Sequence, residues 1–202
     1  GLDMVEYIYY MSLNYGGMEV FLADTTGKVN LLSGSQPQLD GLKLSENGKK
    51  AAYLDTDANT GDTILVEIEL GKEKAETVAT NVQSFGYIGN TLIYYFDYTE
   101  GVGTLGAAGS KTTIANASGV QFTEDAVYYV ADADAATGNG ELRAWDGKTE
   151  TAIAKDVFAF QYKENGKLVY IGKYDVNAGV GDLYYYDGKE ARKLDTGITA
   201  IF

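Results

Sequence analysis

Apolar residues along this chain fall in short alternating runs, each closed by a turn-forming pair. The clearest stretch is Phe158 to Thr196, FAFQYKENGKLVYIGKYDVNAGVGDLYYYDGKEARKLDT. Asn165-Gly166 separates its first run from its second, Asp175 to Gly181 the second from the third, and Asp187-Gly188-Lys189 the third from the fourth. Asn-Gly and Asp-Gly tolerate the positive φ of a tight hairpin, so the stretch predicts a four-stranded antiparallel meander, strands A to D.

The same pattern recurs. An apolar residue followed by tyrosine marks strand B at Ile8-Tyr9, Ala52-Tyr53, Ile93-Tyr94, Val127-Tyr128 and Val169-Tyr170, the tyrosines 44, 41, 34 and 42 residues apart. A lysine closes each C–D turn at Lys28, Lys72, Lys111, Lys148 and Lys189, spaced 44, 39, 37 and 41. Two markers with one period of about 40 residues are the signature of a β-propeller. The repeats expected are residues 5–36 together with 198–202, then 37–81, 82–119, 120–156 and 157–197. The chain opens on strand B and ends on an extra A-type run, Ile198 to Phe202, whose Ile198-Thr199 is aligned with Val82-Gln83 and Val120-Gln121. The fold expected is therefore all-β: a β-propeller of five four-stranded antiparallel blades, closed by pairing of the N- and C-terminal strands. Closure would remove unpaired sheet edges. A segment of a longer propeller of six to eight blades would give the same strand count, and an open solenoid is the remaining alternative.

Composition narrows the chemistry. Among 202 residues there are 17 tyrosines, 25 glycines and one proline, Pro37, which suits many short strands and tight turns. The absence of cysteine and histidine excludes disulfides, thiol catalysis, histidine-dependent serine triads and zincin-type metal sites. A formal net charge of −13 argues against nucleic acid as partner. No run of about 18 apolar residues is present to span a bilayer. No secretory leader is recognised, and a first residue of glycine reads as a trimmed product.

The segments IYYMSLNYGGMEVFLADTTGKVNLL and VYYVADADAATGNGELRAWDGKTETAIA resemble YWTD-type propeller repeats of the low-density lipoprotein receptor kind. They are more similar still to bacterial envelope propellers of TolB-like type. The YWTD tetrapeptide itself is missing; the nearest stretches are Tyr94-Tyr95-Phe96-Asp97 and Tyr170-Ile171-Gly172-Lys173. The resemblance implies binding or scaffolding outside the cytoplasm, in a secreted or envelope protein, and carries no catalytic motif onto this chain.

Three groups of residues are candidates for function. Asp55, Asp57, Asn59 and Asp62 alternate oxygen ligands as Ca²⁺ loops do, and Asp132 and Asp134 echo them, but the EF-hand spacing is incomplete. Asp, Asn and Gly also turn hairpins, which is the simpler reading. The A strands begin with Gln38, Gln83, Gln121 and Thr199, with Asp40 the only interior charge, where a glycosidase would need paired carboxylates. Tyr184-Tyr185-Tyr186 and Trp145 could display aromatic rings, although blades pack face to face and would bury them.

Sorting charges by connection leaves one end of the blades acidic, with Asp55, Asp57, Asp62, Asp97, Glu100, Asp132, Asp134, Asp175 and Asp182 in or beside the B–C loops. The opposite end mixes lysines with acids. The function expected is a non-catalytic binding or scaffolding propeller whose acidic loop face meets a protein partner with a basic surface. No cofactor, resident metal or catalytic residue is expected, and weakly held Ca²⁺ is the one ion the loops suggest. A carbohydrate-active propeller, lectin or glycoside hydrolase, is the alternative.

Overall fold

The computed structural model describes strands at residues 7–12, 19–24 and 29–32 and the chain from 38 to 202 except residue 73, with side chains from residue 41 onward. The strands are β1 (Tyr7–Ser12), β2 (Glu19–Asp24), β3 (Val29–Leu32), β4 (Gln38–Leu44), β5 (Lys50–Thr56), β6 (Thr63–Glu69), β7 (Lys74–Thr80), β8 (Val82–Ile88), β9 (Thr91–Thr99), β10 (Val102–Ala107), β11 (Thr113–Phe122), β12 (Val127–Ala131), β13 (Gly140–Trp145), β14 (Glu150–Glu164), β15 (Lys167–Asp175), β16 (Val180–Tyr186) and β17 (Ala191–Ile198). The strand pairings whose register is described are all antiparallel. No helix among the described residues is long and apolar enough to cross a membrane. The turn at Lys28, the strand start at Pro37 and the side chains of Gln38 and Asp40 lie outside the described residues.

The chain divides into two compact lobes, residues 1–97 with 107–109, and residues 98–106 with 110–202. In the first, β1, β2 and β3 form a three-stranded sheet, β4 to β7 a four-stranded meander, and β8 pairs with β9. In the second, β10 to β17 follow one another as ladder neighbours. The meanders form where the turn chemistry requires them. Asn165 and Gly166 sit at φ 52° and 77° between Glu164 and Lys167, the left-handed pair of a type I′ hairpin. Asp146 and Asp187 head the C–D turns, each carboxylate accepting two backbone N–H bonds, from Lys148 and Thr149 and from Lys189 and Glu190. Those bonds hold both carboxyls below their usual titration range.

The corners between repeats follow one rule. Asn81, Asn116 and Asp156 have φ of 56°, 56° and 54°, and the inner strand starts at the next residue. Val82, Ala117 and Val157 are therefore equivalent, and all three are buried. Across each corner stands a second left-handed residue: Asp97, Asp132 and Lys173, at φ 52°, 51° and 53°. The N–H of Asp97 donates to Asn81 O, and that of Asp132 to Asn116 O, each at 3.0 Å. Asn and Asp accept this conformation more readily than other residues. The alignment of Val120-Gln121 on Val82-Gln83 does not hold. Gly119, at φ 61°, lies where the ladder slips between Ser118 and Gln121. The bulge brings Gln121 opposite Tyr128, as Phe85 is opposite Tyr94 and Phe160 opposite Tyr170.

Among the described residues, closure by Ile198 to Phe202 is not present, and the sheets are not closed. The sheet of β1 to β3 has three strands, and residues 199–202 belong to no strand. Ile198 pairs with Gly181 as Val157 pairs with Gly140, so it does occupy an inner-strand start. Past Val157 the chain stays extended because β15 supplies its ladder. Residues after Ile198 have no such ladder to satisfy their backbone groups.

Alternating side chains feed the cores. In the first lobe, Ala51, Tyr53, Val66 and Ile68 form one cluster, while Ala52 turns the other way to join Leu65, Val82, Phe85 and Leu92. In the second, Tyr128, Val130 and Leu142 pack on Val157, Phe160, Leu168 and Tyr170. Polar side chains then join neighbouring repeats. Lys43 Nζ donates to Phe85 O at 2.8 Å, and burial lowers its pKa. The Gln121 amide donates to Phe160 O and accepts from Tyr162 N–H, both at 3.0 Å, replacing a strand neighbour. Gln121→Ala leaves both backbone groups unpaired in a partly buried place. It is expected to cost about 1–3 kcal/mol in urea unfolding, whereas Gln161→Ala, which removes a single 3.3 Å bond, should cost less.

On the fourth repeat, the Tyr129 hydroxyl and the Arg143 guanidinium both donate to Glu150 Oε1, and Arg143 also pairs with Glu141 at 2.6 Å. Burial opposes ionisation of Glu150, but the two donors outweigh it and its carboxyl titrates below the usual value. Stability from this group is therefore present above about pH 4.5 and lost as pH falls through the lowered value. Thermal melts from pH 6 to pH 3 should show Glu150→Gln with a shallower acid loss than the parent.

Candidate functional site

The sequence-predicted acids divide between the lobes. Asp55, Asp57, Asp62 and Asp97 lie in the first; Glu100, Asp132, Asp134, Asp175 and Asp182 lie in the second. Their roles differ. Asp55 is not on the rim: it is 3% exposed at the end of β5, and its Oδ1 accepts the N–H of Thr56. Burial, with the Asp55 charge in second place, pushes the Tyr53 phenol far up. Asp97 and Asp132 are the corner residues described above, and Asp97 Oδ1 also accepts from Asn81 Nδ2 at 2.9 Å. Glu100 and Gly101, at φ 52° and 85°, turn the chain between β9 and β10. Asp182, on β16, is ion-paired with Lys193 at 3.2 Å.

Asp57, Asp134 and Asp175 share one construction. Each carboxylate Oδ1 accepts N–H bonds from the residues two and three further on: Asn59 and Thr60, Ala136 and Thr137, Asn177 and Ala178. Each main-chain carbonyl accepts from a glycine four residues on, Gly61, Gly138 or Gly179, at 2.7 to 2.8 Å. These glycines have φ of 77°, 76° and 70°, a region closed to most L residues. The signal Asp-x-x-x-Gly occurs four times in the sequence, and three of the four form this loop; the fourth, Asp97 to Gly101, does not. The same bonds bear on the Ca²⁺ reading, since one oxygen of each leading Asp already serves the backbone. Among the described residues no three acidic side chains converge closely enough to hold a metal ion.

Of the aromatic candidates, Trp145 lies in the core and Tyr184, Tyr185 and Tyr186 are half-buried. Trp145 is 2% exposed, Tyr186 belongs to the second-lobe cluster, and Tyr184 stacks on Tyr170 with centroids 4.9 Å apart. Sequence reasoning missed a different group. Phe158 stacks on Tyr174 at 3.8 Å, nearly parallel, beside the loop headed by Asp134. The Asn139 amide fixes that loop to the next repeat, donating to Tyr174 O at 3.0 Å and accepting from its N–H at 3.2 Å. Gly138 approaches so closely that a Cβ there would lie 2.9 Å from Phe158 Cε2. In the first lobe, a small charged cleft lined by Lys50, Glu67, Glu69, Lys74 and Glu76 is occupied by ion pairs, Lys50–Glu67 at 3.6 Å and Lys74–Glu76 at 3.7 Å, with Glu69 paired to Lys72 at 2.9 Å.

No protein-family model matches the chain, and no curated protein matches it in sequence. Solved structures resemble it in fold. The β-propeller domain of the Trilobed protease from Pyrococcus furiosus, described as having an open velcro topology, is 14% identical at a TM-score of 0.52, over 94% of this chain and 68% of that one. Acylaminoacyl peptidase from Pyrococcus horikoshii is 14% identical at 0.51, over 94% of this chain and 37% of that one. The tricorn protease is 12% identical at 0.51, over 96% and 26%. The chain thus spans little more than a third of the length of the acylaminoacyl peptidase and about a quarter of the tricorn protease. The likeness is one of fold: the chain is an all-β protein of β-propeller type.

Proposed function

We propose that the chain is a non-catalytic binding or scaffolding propeller of five TolB-like repeats, working outside the cytoplasm, whose acidic loop end docks a protein partner with a basic surface. The location follows from the sequence resemblance alone. The observation that carries the docking is the repeated loop of Asp57, Asp134 and Asp175. The same turn holds three loops in one conformation and leaves carboxylates at their heads. Fixed loops lose little entropy on binding. Like charge at such loop heads steers a cationic partner, within a screening length of about 8 Å at physiological salt. The carbohydrate-active alternative has less support, because Trp145 lies in the core and Tyr186 is half-buried against it.

Asn at the head of such a loop keeps the same acceptor and removes the charge. The triple variant Asp57→Asn/Asp134→Asn/Asp175→Asn should melt like the parent. It should bind immobilised poly-L-lysine about tenfold more weakly, a difference of about 1.4 kcal/mol. Parent binding should weaken steadily with added salt. Equal affinity of parent and triple variant, or binding indifferent to salt, would sink the proposal. Melting the parent in Ca²⁺ and in EDTA at fixed ionic strength separates docking from cation binding. The melting temperature should not move, and a rise in Ca²⁺ that disappears in Asp57→Asn would assign the loop to the ion instead.

A further inference from the structure

Large apolar side chains left exposed among the described residues are not scattered. Tyr98, Val102, Phe158 and Val176, at 45%, 40%, 36% and 55% exposure, all lie at the loop end of the second lobe. Leu194 lies within the outer strand β17, and Phe202 is the last residue. The hairpin turns at the opposite end expose none among the described residues. Exposed apolar groups gathered at one place mark interaction surfaces, and singly scattered ones do not.

We infer that the ledge formed by Phe158 and Tyr174, with Val176 exposed in the loop two residues on, takes an extended polypeptide segment in which an apolar side chain is flanked by Lys or Arg. The inference rests on the proposed docking function and names the chemistry of its partner. Three observations support that occupant. First, the ledge is already built: Phe158 stacks on Tyr174, Gly138 abuts the ring, and Asn139 fixes the Asp134 loop to Tyr174 through two bonds. An apolar anchor therefore meets a rigid surface, as at interface hot spots. Second, the charges around it favour a cation. Asp132, Asp134, Asp156 and Asp175 are exposed there, against Lys155 and Lys173. Third, the Asn139 amide beside the ledge is held in place by two backbone bonds, and one ring face of Phe158 is covered by Tyr174, which leaves less of that ring to stack on a sugar.

Two blocked synthetic peptides test this by fluorescence anisotropy at low salt: Lys-Ser-Lys-Phe-Gly-Phe-Lys-Ser-Lys, and its counterpart with Ser in place of both Phe. The parent should bind the Phe peptide about tenfold more tightly than the Ser peptide. Val176→Ser should remove most of that preference and leave the Ser peptide's affinity unchanged. Val176 is a loop residue with 55% exposure, so this variant should fold as the parent does, with circular dichroism as the check. Phe158→Ser provides the second variant and should erase the preference as well. Equal affinity of the two peptides for the parent overturns the ledge and leaves electrostatic docking standing. Binding of neither peptide overturns both. Oligosaccharide binding that is lost in Val176→Ser would reassign the ledge to sugar and overturn the peptide.

Discussion

A repeat of hairpins must pass its chain from the outer strand of one meander to the inner strand of the next without leaving a backbone group unpaired, and this structure does so with a pair of left-handed residues. Asn81, Asn116 and Asp156 turn the corner, and Asp97, Asp132 and Lys173 stand across it. The bond from the Asp97 N–H to Asn81 O, repeated from Asp132 to Asn116, ties the end of strand B to the corner. Because each corner is set, the residue after it always enters the core. Val82, Ala117 and Val157 are buried for that reason, and the clusters around Phe85 and Phe160 are built outward from them.

The corners also decide what the acidic end is made of. Asp97 and Asp132 belong to the backbone's conformational requirement, Asp57, Asp134 and Asp175 to loop turns, and Asp182 to an ion pair. In each lobe the acids of these loops and corners thus arise from turn chemistry before any partner is considered. What turn chemistry does not require is the exposed Phe158 and Val176 beside those acids. The coincidence of the two, more than the charge alone, distinguishes a docking surface from a merely solvated one.

Hairpins were legible from the chain because their signals are local. Asn165-Gly166 and Asp187-Gly188 fix their own φ, and the tyrosines at 94, 128 and 170 fall at matching ladder positions. The corners were legible only in part. Gly119 adds a bulge, so matching Val120-Gln121 to Val82-Gln83 by letter slipped the register. Asp55 reads as a loop acid and is buried, since alternation along β5 and not its charge sets the direction of its side chain. The bonds of Gln121 and Asn139 join residues about 40 and 35 positions apart, and no local pattern announces them. The pairing assigned to Ile198 through Phe202 depended on a distant ladder, which a strand count does not supply.

The fifteen residues of β14 run as outer strand to Asp156 and as inner strand from Val157, paired first with β13 and then with β15. Two successive meanders therefore share one continuous piece of backbone. New chain ends or inserted domains are best accepted at exposed tips with few bonds to lose. For this architecture the natural module, in the sense of what can be cut and rejoined, is not the blade. It is the segment between hairpin tips such as Gly147-Lys148 and Asn165-Gly166, with the corner at Asp156 in its middle. A circular permutant opened at such a tip would keep every corner whole, whereas one opened at Asp156 would sever the strand that two meanders hold in common.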